Sequence, residues 1–160
     1  MNLTEIETPA LDRFEGYLKA VSDFIRTGEL KWYFEAKLFE YEEAVSDVKQ
    51  LIKAAYPTSD PEKAQVDECS IDDVLETLRH ELGRSLTEIE SLKFLTPLTN
   101  INSEMWRYVR ECIVFEESRI YEYFSTEKDG LLNGILGDFA FIIHDENKYR
   151  CLIVSGATCD

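Results

Sequence analysis

Basic residues are scarce in this chain. Its 160 residues hold 17 lysines and arginines against 32 aspartates and glutamates, a formal charge of −15. That balance argues against a nucleic-acid partner, because each phosphate contact would work against net repulsion. Long apolar runs are missing too. The longest, 139–143, is far short of the roughly 20 residues that span a bilayer, so no membrane partner is expected. The first seven residues carry neither a basic stretch nor an apolar one, so no secretory signal is read there and a cytoplasmic location is expected.

Catalytic and ligand-binding signatures are equally sparse. The four cysteines (Cys69, Cys112, Cys151, Cys159) form no C-x-x-C pair, which excludes the usual zinc spacing and predicts free thiols, with Cys112 and Cys151 as small core residues. The two histidines, His80 and His144, sit in neither H-E-x-x-H nor E-x-x-H. His80 lies near Glu76 and Glu81 but reads as a surface histidine, and His144 as a turn residue. Gly130, Gly134 and Gly137 mimic a phosphate loop, yet no lysine follows and the run leads into a strand rather than a helix, so it reads as a joint. No G-x-S-x-G occurs, and no cysteine has a histidine beside it in sequence. No catalytic residue, cofactor or metal is therefore assigned.

What is present is apolar material for a core, 44% of the chain. Thr8-Pro9 caps and opens a first helix, with Leu11, Phe14, Leu18, Val21 and Ile25 as its inward stripe and Gly28 as its stop. A second helix is predicted over 30–55, ending ahead of Tyr56-Pro57, with Phe34, Leu38, Tyr41, Val45, Val48, Ile52 and Ala55 inward. Ser70 and Asp73 form a capping-box-like start to a third helix that contains Gly83 and runs through Ile89 and Leu92 to Thr96-Pro97. A fourth helix begins near Asn102 or Ser103, with Ile101 and Trp106 as a staple, and carries Val109, Ile113, Ile120 and Phe124 inward to about Thr126. Apolar segments 139–143 and 149–154, separated by the polar 144–148, then read as a β-hairpin. It needs cover from the helices, a third strand (2–7 could supply one) or a partner chain. The expected fold is α+β and predominantly helical: an antiparallel bundle of about four helices with a C-terminal β-hairpin. It forms a single domain over 1–160, with a helical body over 9–126 and a hairpin over 138–154.

Two features bear on function. Within the fourth helix the inward slot between Ile113 and Ile120 falls to Glu116 or Glu117. A carboxylate there either faces the core, paired with Arg79, Arg84 or Arg110, or reaches out to solvent. On the second helix Trp32, Ala36, Phe39, Glu40, Glu43 and Asp47 share a side away from the core stripe, an aromatic start running into acids. These six are the expected partner-binding residues: the aromatics anchor, while the acids steer and pair with lysine or arginine. The chain thus reads as a non-catalytic acidic module that neutralises or occludes a basic protein. In general character it is similar to toxin-immunity proteins and phage-encoded inhibitors, with a nuclease as one such target. The alternatives are a small enzyme or ligand-binding regulator with a pocket between bundle and hairpin, and a homo-oligomer formed through the hairpin edge.

Overall fold

The computed structural model describes residues 2–27, 30–83, 88–124 and 138–159. Gly28, Arg84 and the glycines at 130, 134 and 137 lie outside the described residues, with the readings placed on them. The side chains of Ile89, Leu92 and Cys159 also fall outside that description.

A large antiparallel sheet, rather than a helical bundle, organises the molecule. In chain order the elements are β1 (Leu3–Glu5), α1 (Pro9–Phe24), β2 (Arg26–Thr27), β3 (Leu30–Tyr41), α2 (Val48–Ala55), β4 (Gln65–Cys69), α3 (Ile71–Gly83), α4 (Glu88–Cys112), β5 (Arg119–Phe124), β6 (Asp138–Asp145) and β7 (Arg150–Cys159). Short 3-10 turns occupy Pro61–Lys63 and Phe115–Glu117. The sheet runs β1-β3-β7-β6-β5-β4, with β2 also paired to β3.

The decisive departure from the sequence reading is the segment 30–55. Leu30–Tyr41 is a strand that pairs residue for residue with β7, Lys31 opposite Cys159 through Glu40 opposite Arg150. Trp32, Phe34, Ala36 and Leu38 alternate onto one face of the sheet, and Phe39 and Tyr41 fall on the other. A central strand buried on both sides reads as a nearly continuous apolar run, and its aromatic richness suits the pleat. Only Val48–Ala55 of that segment is helical, with Asp47 capping it through the Lys49 amide at 2.9 Å.

The other boundaries shift for local reasons. The third helix ends at Gly83, and a separate helix, α4, begins at Glu88 and carries Pro97 in its interior instead of stopping there. The expected cap at Asn102 is mid-helix, where its side-chain oxygen accepts from the Trp106 indole at 3.2 Å. Ile120 and Phe124, expected on a helix, lie in β5, with Ile120 buried and Phe124 exposed. Thr8 caps α1 as its chemistry dictates, its hydroxyl accepting from the Leu11 amide at 3.1 Å, and Leu11, Phe14, Leu18 and Val21 are buried. Ser70 and Asp73 exchange bonds at the start of α3, the Ser70 amide and hydroxyl each reaching Asp73 at 2.7 Å.

Strands β6 and β7 form the hairpin, and neither of their outer edges is free: β3 covers β7 and β5 covers β6. The N-terminal strand joins β3 rather than the hairpin. Two cores result. Helices α1, α3 and α4 close over Trp32, Leu38, Phe141, Ile143, Leu152 and Val154 on one face. On the opposite face α2 seats Leu51 and Ile52 against Phe39, Ile142, Cys151 and Ile153. Cys112 and Cys151 are buried thiols, as expected.

Candidate functional site

The six residues expected to face a partner do not share a surface. Trp32 is 2% exposed, Ala36 0% and Phe39 4%; the first two point toward α1, α3 and α4, and the third toward the α2 side. Trp32 stacks with Phe34 at 6.0 Å between centroids. Glu40 is half-buried and accepts from the Arg150 guanidinium, with Nε at 2.7 Å. Glu43 is exposed in the β3–α2 connection, and Asp47 is spent on the α2 cap. With the aromatics sealed inside, the toxin-immunity type of inhibitor loses the surface on which it was drawn, and nothing in the sheet-centred architecture restores it. The signal for the strand was present in the alternation from Trp32 to Leu38, followed by Phe39 and Tyr41.

The acids gather elsewhere. At the β4 edge of the sheet, Asp67, Glu68, Asp72 and Asp73 are all exposed, and Glu76 follows one turn along α3. Among the described residues no cation is within ion-pair distance of Asp67, Glu68 or Asp72, while Glu76 meets Arg79 at 2.9 Å. The field is strong enough to register on a neighbouring thiol. Cys69 is pushed up to about 12, first by burial and then by Glu122, Asp73, Glu68 and Asp67. Asp73 moves the other way, lowered by its bonds to Ser70. A second negative region flanks β1, at the opposite edge: burial, then repulsion from Asp12, Glu35, Glu5 and Glu7, raises the Glu15 carboxyl. Short, charged edge strands also resist uncontrolled pairing between molecules.

The expected pocket between helices and hairpin has a counterpart in a cavity of about 650 Å³ at the end of α4. Its walls include Glu40 and Tyr41 from β3, Arg110 from α4, Glu116, and Asp145 and Tyr149 from the hairpin. Glu116 and Glu117 belong to the 3-10 turn after α4, not to a helix facing the core, and both are exposed. Arg110 lies 3.9 Å from Glu116 and stacks over Phe115.

Beside the cavity His144, 2% exposed, bonds through Nε2 to the Tyr41 hydroxyl. Burial raises the Tyr41 phenol and lowers His144, so both shifts favour a neutral phenol beside a neutral imidazole. Glu146 lies 3.9 Å from the other ring nitrogen. His80 is held by Glu81 at 3.0 Å, and among the described residues no cluster of three histidines, cysteines or carboxylates is placed to hold a metal ion. No described helix is long and apolar enough to cross a membrane.

This arrangement defines an α+β protein with helices on both faces of one antiparallel sheet, carrying acidic edges. The fold is similar to that of citrus MAF1, in crystal structures of space groups P 31 2 1 and C 2 2 21. The TM-scores are 0.62 and 0.60, each at 14% identity, and the match covers 93% and 94% of this chain and 98% of the other chain in both cases. At that identity the likeness establishes the fold alone. No protein-family model and no curated protein sequence matches.

Proposed function

We propose that this chain is a non-catalytic, acidic protein-binding module whose β4–α3 edge engages a basic protein surface. One observation carries the reading: among the described residues, Asp67, Glu68 and Asp72 are exposed on the edge strand β4 and the start of the adjoining helix with no cation paired to them. A cationic partner would pair these carboxylates, and the local negative field accelerates encounter. The outer side of β4, which pairs with no other strand among the described residues, adds backbone donors and acceptors that an extended partner segment can meet. The expected role is occlusion of the partner's basic surface.

Affinity capture from the native host tests this, followed by sedimentation of the purified pair. A basic partner in a one-to-one complex, weakened as salt rises from about 0.05 to 0.3 M, is the expected result. Captured proteins that are uniformly acidic, or binding indifferent to salt, would overturn it.

A further inference from the structure

Another cavity, of about 400 Å³, lies between α3 and the C-terminal end of β5. Its lining includes Glu76, Thr77 and His80 from α3, Glu122 and Phe124 from β5, and Phe139 from β6. Phe139 makes a fixed floor: it is 5% exposed and packs against Trp32, Phe34 and Phe141, with centroids 5.4 to 6.0 Å apart. The Thr77 hydroxyl ties the two walls together by donating to Glu122 Oε1 at 2.7 Å. Phe124 is different. It is 47% exposed, an aromatic ring open to an incoming group.

The accessible charge in this groove is negative. Glu122 is half-buried, its Oε2 stays open to solvent, and no cation among the described residues is within ion-pair distance of it. Glu76 meets Arg79 at 2.9 Å, but both side chains are exposed, and such a surface pair is weak enough to share its carboxylate. His80 is directed at Glu81, 3.0 Å from its Nδ1. Asp67 stands opposite Glu122 in the β4–β5 register, so both leave the sheet on the α3 side. The groove is thus continuous in charge with the β4–α3 edge. Carboxylate walls over a phenyl floor suit a cation carried on an apolar stem.

We infer that this groove seats a lysine side chain of the basic partner, its stem along Phe124 and its ammonium shared by Glu76 and Glu122. Lysine suits it better than arginine. Thr77 and Arg79 each engage one oxygen of these carboxylates, so neither presents the open pair that a planar guanidinium takes, whereas an ammonium can meet single oxygens of separate groups. The inference rests on the proposed function for the source of the lysine, but the groove's chemistry can be tested without any partner.

The probe is Nα-acetyl-lysine amide, titrated into the intact chain at constant ionic strength and followed by amide chemical shifts. Nα,Nε-diacetyl-lysine amide, with the same stem and no charge, is the control, and Nα-acetyl-arginine amide tests the head group. The groove predicts saturable shifts at 76–80 and 122–124 for the lysine probe, weaker binding of the arginine probe, and about tenfold or more weaker binding of the neutral control. Glu122→Gln keeps an oxygen for Thr77 and should weaken the lysine probe about fivefold or more, and Glu76→Gln, at an exposed position, should weaken it as well. Glu43→Gln removes the same charge from the exposed β3–α2 connection and should leave binding unchanged. Equal binding of the charged and neutral lysine probes, tighter binding of arginine, shifts elsewhere only, or an equal loss in Glu43→Gln would overturn the groove. Failure here alongside salt-sensitive capture of a basic protein would remove the groove and leave the β4–α3 reading standing. Lysine binding without any basic partner would do the reverse.

Discussion

His144 couples burial to pH at a single residue. Its folded pKa lies below the unfolded value because burial penalises the cation more than Glu146 and Asp145 favour it, and Arg119 adds to the lowering. Between the lowered value and about 6.5 the unfolded chain binds the extra proton. Stability from this group is therefore complete above about pH 6.5 and is lost as pH falls toward the folded value. Urea denaturation of wild type and His144→Gln at pH 7.5 and pH 5.5, each about one unit from that reference, should show the gap between them narrowing at the acid end. A gap that widens on acidification would contradict a neutral buried imidazole.

Gly156 makes a second point at this scale. A Cβ there would sit 2.6 Å from Phe139 Cζ and 2.9 Å from Phe34 Cδ1, so the aromatic pair occupies the space a side chain would need. Gly156→Ala should cost about 1–3 kcal/mol, and Phe139→Leu in the same background should recover part of it, read by denaturation.

Among the elements, β3 separates what could be read in advance from what could not. The first helix was legible because its cap, its opening proline and its 3.6-residue stripe agree with one another. The hairpin was legible because a polar turn splits two apolar runs. In 30–41 apolar and aromatic residues serve both faces of a central strand, so a helical stripe can be drawn through them as easily as a pleat. Pro97 misled in a different way: it reads as a stop, but α4 carries it within a 25-residue helix.

Substitution distinguishes strand from helix directly. Ala36→Glu would bury an unpaired carboxylate against α1, α3 and α4, a cost of several kcal/mol that approaches a domain's whole stability. Tyr33→Glu, three residues away on an exposed position of the opposite face, should change stability by less than about 0.5 kcal/mol. Thermal unfolding of the two variants is sufficient. Tolerance of Ala36→Glu would contradict the strand.

For the molecule as a whole, the charge of −15 is the property that the sequence stated most plainly, but its location could not be read there. The acidic face drawn on residues 32–47 dissolved when its aromatics turned inward. The β4–α3 edge became visible only once the sheet order had placed a short acidic strand at the margin of the described sheet. The cavity at the end of α4 was half legible: Glu116 and Arg110 were recognised as a potential pair, while Asp145 read only as part of the polar 144–148 turn and Tyr149 as the first residue of the second hairpin strand. The likeness to citrus MAF1 shows that this architecture recurs at 14% identity. That likeness shows the fold alone, so the function has to be argued from the surface of this chain.

The most direct test of the account is the salt dependence of binding to the captured basic partner, compared between wild type and the Asp67→Asn/Glu68→Gln/Asp72→Asn variant. If the β4–α3 edge forms the interface, the neutralised protein binds at least tenfold more weakly at low salt, and its affinity falls less steeply as salt is added. Identical affinities and identical salt slopes for the two proteins would contradict it.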